Sequence, residues 1–188
     1  MKVLFINGSP RKDGHTAEAL KIVEAGLGAG EGITTEWVNI GSRPVRGCIG
    51  CMWCKKDNHN RCTFNDDPAN EIIEKLLASD GVVIGTPTYF AGPNGALTSV
   101  LDRVFYAATV PAQLFRGKVG AVVATCFRSG ATDAIDRINK YYQFAAMPVV
   151  SSSYWPLMFD DESPYGHDAK GIEVLEELGK NMAKMIEK

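Results

Sequence analysis

Short apolar runs alternate with helix-like stretches from one end of the chain to the other, and few architectures accommodate that order. Val3 to Ile6, Thr35 to Ile40, Gly81 to Gly85, Val119 to Thr125 and Pro148 to Ser152 read as strands. Residues 16–27, 68–79, 94–108, 130–145 and 169–187 read as helices. Local signals agree: Asp67 can cap a helix with Pro68 at its first position, and Ile72, Ile73, Leu76 and Leu77 then share one face. In the last stretch Ile172, Leu175, Leu178, Met182, Met185 and Ile186 recur at helical spacing as a core stripe. Strands joined through helices need right-handed crossovers, which cover both faces of a parallel sheet and leave the strands nearly continuously apolar. The pattern predicts an α/β fold, a doubly wound five-stranded parallel sheet of order 2-1-3-4-5. At 188 residues with 45% hydrophobic and 22% charged residues, one domain over 1–188 accounts for the whole chain.

That strand order puts strands one and three side by side where the winding reverses, and ligands bind there, beyond the carboxyl ends of the strands. Three loops are expected to meet: residues 8–16 after strand one, residues 86–94 after strand three, and Cys126-Phe127-Arg128-Ser129-Gly130-Ala131 after strand four.

The first loop, Gly8-Ser9-Pro10-Arg11-Lys12-Asp13-Gly14-His15-Thr16, runs from a strand straight into a helix. A helix start leaves N–H groups unpaired and carries partial positive charge, so hydroxyls, an arginine and glycines placed there suit a phosphate. No G-x-G-x-x-G dinucleotide fingerprint is present, and no G-K-[ST] of a nucleoside-triphosphate loop follows the glycines. Hydroxyls around a single helix start suit a terminal phosphomonoester such as that of FMN. An ordinary turn capped by Ser9 or Thr16 would use the same residues.

The second loop, Thr86-Pro87-Thr88-Tyr89-Phe90-Ala91-Gly92-Pro93-Asn94, carries two aromatics, stiffening prolines and a glycine that lets backbone approach a flat ligand. A planar ring would suit it, and so would simple packing of Tyr89 and Phe90 under a neighbouring helix. The same strand order occurs in response-regulator receivers, but their acidic magnesium pocket is missing where this chain has Asn7, Gly8 and Ser9.

Gly8-Ser9-Pro10-Arg11 with Gly14-His15-Thr16, the run from Thr86 to Phe90, and Leu101-Asp102-Arg103 together resemble the flavodoxin-like NAD(P)H-dependent FMN reductases, in order and over nearly the whole chain. The resemblance implies a flavodoxin-like FMN-binding domain. By it Ser9, Arg11, His15 and Thr16 contact the FMN phosphate, Pro87, Thr88, Tyr89 and Phe90 flank the isoalloxazine ring, and Arg128, Ser129 and Gly130 complete the site. Position 15 is more often Asn in such loops, and the third loop is usually richer in glycine.

Four of five cysteines crowd into a loop over residues 47–63: Cys48, Cys51, Cys54 and Cys62 form C-x2-C-x2-C-x7-C. Three thiolates at successive intervals of three can converge on one cluster, with the fourth completing the ligand set. Zinc sites more often use two well-separated C-x2-C pairs. The pattern resembles the iron-sulfur flavoprotein branch of the same family, whose cysteines hold a 4Fe-4S cluster near the flavin. Free thiols, a redox C-x2-C pair, or a ligand set emptied by air are the other readings. Cys126, at a strand end, reads as a small buried thiol, and His59 as a solvated loop residue. Met52 and Trp53 are expected at the flavin mouth or a subunit contact.

An odd cysteine number and four thiols in one loop do not suit a secreted disulfide framework. The apolar start from Val3 to Ile6 is too short for a secretory signal, and Pro87, Pro93 and four glycines break the uncharged stretch 81–101 as a membrane span. A net charge of −2 without a basic stripe argues against nucleic acid or an anionic membrane as partner. The expectation is a cytoplasmic oxidoreductase that takes electrons from NAD(P)H through FMN to a small acceptor such as a quinone or flavin, or to an electron-carrier protein. Its rivals are a non-enzymatic flavodoxin-like or iron-sulfur flavoprotein electron carrier, and a cysteine-based redox sensor. Tyr154-Trp155-Pro156-Leu157-Met158-Phe159 is an uncharged aromatic run that would cover the flavin or form the contact of a homodimer or homotetramer; a core loop would use it equally well.

Overall fold

In the computed structural model, which describes residues 1–28, 32–109 and 112–187 but not the side chains of Asp57 and Asn58, a parallel sheet occupies the centre of the molecule. Its strands run in the order β2 (Thr34–Asn39), β1 (Lys2–Asn7), β3 (Gly81–Tyr89), β5 (Val119–Cys126) and β6 (Leu157–Phe159). A two-residue strand, β4 (Gly92–Pro93), folds back antiparallel on β3. With β4 set aside the order is the expected 2-1-3-4-5. The helices are α1 (His15–Leu27), α2 (Ala69–Leu77), α3 (Gly95–Thr109), α4 (Ala131–Phe144) and α5 (Ala169–Ile186), and a short 3-10 turn spans Trp53–Asn58.

Both faces of the sheet are buried, and the pleat sends alternate side chains to opposite cores. Leu4 and Ile6 of β1, Val82 and Ile84 of β3, and Val122 and Ala124 of β5 face a core completed by Ile72, Ile73 and Leu76 of α2, Leu101 of α3 and Ile138 of α4. Val3, Phe5, Val83, Ala121 and Val123 face the other core, closed by Leu20 and Val23 of α1 and Leu175, Leu178 and Met182 of α5. Each such fully buried Leu, Ile or Val contributes about 1.5–3 kcal/mol over an exposed one. α1 and α5 approach so closely that a Cβ at Gly179 would run into the Val23 carbonyl, and one at Gly26 into the Glu176 carbonyl. Among the described residues no helix is long and apolar enough to cross a membrane.

Three expectations change. The third strand runs past Gly85 to Tyr89 and folds back at β4, so much of the stretch read as a loop over 86–94 is strand end and hairpin. At α2, Pro68 takes the capping place and Asp67, one residue earlier, accepts the Ala69 N–H at 3.1 Å. The fifth parallel strand is Leu157–Phe159, and Pro148 to Ser152 is not a strand: Val149 makes one isolated bridge to Gly120 before the chain departs. The serines that follow turn to α5 instead. Ser152 Oγ donates to the Val174 carbonyl at 2.8 Å, and Asn181 Nδ2 donates to the Ser151 carbonyl at 3.1 Å. Residues 153–156 then carry the chain back to β5, where Leu157 to Phe159 pair with Ala124 to Cys126.

Candidate functional site

The loop after β1 is shaped from inside by Asn7, a fully buried polar residue at the end of an apolar strand. Its Oδ1 accepts the Ser9 N–H at 3.0 Å, and its Nδ2 donates to the Lys12 carbonyl at 3.2 Å and to Asn39 Oδ1 at 3.1 Å. Ser9 Oγ in turn accepts the Arg11 N–H at 3.1 Å. Gly8 crosses β3 with its N–H on the Gly85 carbonyl at 2.8 Å, and a Cβ there would sit 2.5 Å from Leu97 Cδ2. Only glycine lets the chain turn so close to β3.

The loop ends at Gly14, where no side chain caps α1. Among the described residues the N–H groups of His15 and Thr16 reach no acceptor. The Thr16 hydroxyl lies 2.9 Å from that of Thr125, which fixes the first turn of α1 to the end of β5. His15 is held between two carboxylates, Nδ1 at 3.1 Å from Glu18 and Nε2 at 3.0 Å from Asp160. Arg11 makes no ion pair among the described residues, and its guanidinium is exposed.

An open cleft with about 550 Å³ of unfilled space lies over these groups, lined by Ser9, Arg11, Gly14, His15, Thr16, Pro87, Thr88, Tyr89, Thr125, Cys126, Phe127 and Asp160. It lies where the winding of the sheet reverses, between the ends of β1 and β3 and closed by the end of β5. One buried polar atom in its wall, Thr88 Oγ1, has no partner among the described residues. Unpaired buried hydroxyls are uncommon, and Thr88 is one of the residues that line the cleft. Burial pushes the Cys126 thiol up, consistent with an inert packing residue.

Thus Ser9, Arg11, His15, Thr16, Pro87, Thr88 and Tyr89 come together. Phe90 stands at the tip of the β3–β4 hairpin, fully exposed, and does not line the cleft. Phe90 and Ala91 both have positive φ, 49° and 58°, the conformation a two-residue hairpin loop demands. Arg128, Ser129 and Gly130 are also elsewhere: they line an adjoining depression with Tyr154, Trp155 and Phe159, separated from the cleft by Cys126. The chain swings aside because Gly130, at φ 85°, packs against Ala91 with no room for a Cβ. Phe127, from the third loop, does line the cleft, whereas Asp160 and Thr125 escape the sequence reading, because only the closing of the sheet brings them to the first loop.

The cysteine loop forms a second, smaller concavity, with about 370 Å³ of unfilled space. Cys48, Cys51, Cys54 and Cys62 all line it, with Ile49, Met52, Phe64, Arg103 and Tyr106. All five cysteines are free thiols, and Cys48 and Cys51 are exposed. Burial pushes the Cys54 thiol up, against the opposing pull of Lys55. Among the described residues no group of three histidine, cysteine, aspartate or glutamate side chains is gathered as a single-ion site. Met52 lines this concavity, and Trp53 stacks on His59 with centroids 3.9 Å apart, so neither lines the main cleft.

Residues 1–161 match the family described as NADPH-dependent FMN reductase. An iron-sulfur flavoprotein of Methanocaldococcus jannaschii is 32% identical over 99% of this chain and 97% of its own length, and one of Archaeoglobus fulgidus is 28% identical over 99% and 97%. A solved NADH:FMN oxidoreductase aligns over 97% of this chain and 88% of its own with a TM-score of 0.69 at 18% identity, a likeness of fold. A doubly wound sheet, a phosphate-type loop on β1 and a match over most of the sequence lead to one conclusion: the chain belongs to the NADPH-dependent FMN reductase family, alongside the iron-sulfur flavoproteins.

Proposed function

We propose that the protein is an FMN-dependent oxidoreductase that draws electrons from NAD(P)H and delivers them to a small acceptor or a carrier protein. The observation that carries this reading is the meeting of an uncapped helix start and an unpartnered Thr88 hydroxyl in one cleft. FMN has the complementary groups, a phosphate at one end and a flat polar-edged ring at the other. When bound, it supplies two-electron acceptance from a nicotinamide and release of electrons singly or in pairs. The residues then divide the work. The His15 and Thr16 N–H groups, the Ser9 hydroxyl and the Arg11 guanidinium hold the phosphate. Pro87, Thr88 and Tyr89 would flank the ring, and the open side of the cleft would admit donor and acceptor. No side chain is required as a nucleophile, so the protein contributes binding and orientation.

The cysteine concavity supports a 4Fe-4S cluster as a second centre. All four thiols line one concavity, the convergence that a four-thiolate cluster requires. Cys48, Cys51, Cys54 and Cys62 would be its ligands, and it would supply one-electron transfer. The exposed Tyr154 and Trp155 support a homodimer or homotetramer; light scattering giving the 20.4 kDa of one chain would remove that part of the reading.

The deciding experiment is an absorption spectrum with iron and sulfide analysis on anaerobically purified protein, followed by NADH and NADPH oxidation assays with a quinone or free FMN as acceptor. Flavin bands, iron and nicotinamide oxidation are expected. Protein that takes up no FMN refutes the oxidoreductase reading; FMN uptake without nicotinamide oxidation leaves an electron carrier.

A further inference from the structure

We propose that Arg103 is a positioning residue that tunes the thiolate centre through its bond to Cys62, an inference that rests on the cluster reading above. Arg103 lies two turns into α3, nearly inaccessible, with its Nε donating to Cys62 Sγ at 3.2 Å. The rest of its fork is already used. Nη2 donates to Asp67 Oδ1 at 3.0 Å, and Nη1 donates to the Arg46 carbonyl at 3.0 Å and also to Asp67 Oδ2. Asp67 is as buried as the arginine, so the charge is compensated and the guanidinium plane is fixed.

The Cys62 backbone does not need this arginine to hold its place. Asn70 of α2 accepts the Cys62 N–H at 2.8 Å and donates to the Cys62 carbonyl at 2.9 Å, with a further bond to the Phe64 carbonyl at 3.0 Å. One residue therefore clamps the chain and another addresses the sulfur. An N–H aimed at a ligand sulfur stabilises the more negative, reduced form of the centre, and so raises its reduction potential. Lysine keeps the charge but cannot reproduce a side-on Nε–H together with a two-pronged grip on Asp67.

The test is a mediated redox titration of anaerobically purified wild-type, Arg103→Lys and Asp67→Asn proteins, followed by visible absorption and electron paramagnetic resonance, with iron and sulfide counted in each. Arg103→Lys is expected to shift the reduction equilibrium about tenfold toward the oxidised form, a fall of about 59 mV for a one-electron couple. Asp67→Asn removes a negative charge and leaves the Nε–H in place, so its potential is expected to rise. A merely structural arginine predicts no such opposition. Potentials that stay put or move together, or iron loss from a natively folded Arg103→Lys protein, overturn the proposal. Where lysine prevents folding, Arg103→Gln reads the same quantity, with a fall again expected and an unchanged potential refuting. Wild-type protein without iron or sulfide overturns the cluster reading and the inference with it, whereas an intact cluster with immobile potentials overturns the inference alone.

Discussion

Asn7→Ala is the sharpest probe of the phosphate loop, because the side chain is fully buried and holds three partners at 3.0–3.2 Å. A net intramolecular hydrogen bond contributes about 0.5–1.5 kcal/mol, and a buried donor left unpaired costs about 1–3 kcal/mol. The Ser9 N–H becomes such a donor, since its bond to Asn7 is buried. Part of this is recovered by relaxation of the exposed residues Arg11 and Lys12, so the expected loss is about 2–4 kcal/mol, a large share of the roughly 5–15 kcal/mol that holds a domain together. Urea unfolding of flavin-free protein, read by tryptophan fluorescence, measures that loss. Quenching of FMN fluorescence on titration measures the second consequence. If 1.4 kcal/mol of loop ordering must be supplied on binding, affinity falls about tenfold. Asn7→Asp separates the parts, because it keeps the acceptor for Ser9, loses both donors and adds a negative charge near the phosphate. It should be no more stable than the alanine variant, because its buried carboxylate would face the Lys12 carbonyl and Asn39 Oδ1 without a donor, and no better at binding FMN. An Asn7→Ala protein with an unchanged urea midpoint and wild-type FMN affinity would refute the view that this residue builds the loop.

Thr88→Val removes a buried hydroxyl that has no partner; flavin-free protein should gain up to about 1 kcal/mol in urea while FMN binds more weakly, and equal affinity would show that the hydroxyl faces no ligand. Gly179→Ala pushes a methyl into the backbone of α1; a loss of about 1–3 kcal/mol is expected for overpacking, and a midpoint unmoved in urea would contradict the close helix contact. Burial alone would raise the Asp67 carboxyl, but its hydrogen bonds from Arg103 and the Ala69 N–H outweigh this and leave it below the usual range. A depressed carboxylate lends stability that is complete above its unfolded pKa of about 3.9 and is lost as pH falls through the folded value. Asp67→Asn should therefore flatten part of the acid limb of a pH–stability curve below about pH 4, and an identical limb would show that this pair contributes nothing there.

The sheet order was legible because β1, β3 and β5 are apolar on both faces and each leads into a helical pattern, so one sequence period told the strands and another the helices. The edge was not. Pro148 to Ser152 has the composition of a strand, but Ser151 and Ser152 find partners on α5, and pairing resumes only at Leu157. The β3–β4 hairpin carried no Asn-Gly or Asp-Gly signal at Phe90-Ala91, so nothing local announced it. In the site, Ser9 to Thr16 was readable as a loop after a strand, while Pro87 to Tyr89, read as loop, are the end of β3 itself. Asp160 and Thr125 were not readable, since their value depends on which strand ends lie side by side. Asn7 had a usable signal, an amide at the close of an apolar run, where a buried polar group must have something to bond.

The hairpin tip has an energetic side that matters for any redesign. Two residues with side chains, Phe90 and Ala91, occupy left-handed backbone where Asn-Gly would rest at ease, and each such residue costs on the order of 1 kcal/mol or more. The aromatic ring repays none of this, because it contacts only water. Substituting Asn-Gly would yield a sturdier protein with a blunt rim, so thermal tolerance and whatever the projecting ring touches are set against each other at one turn.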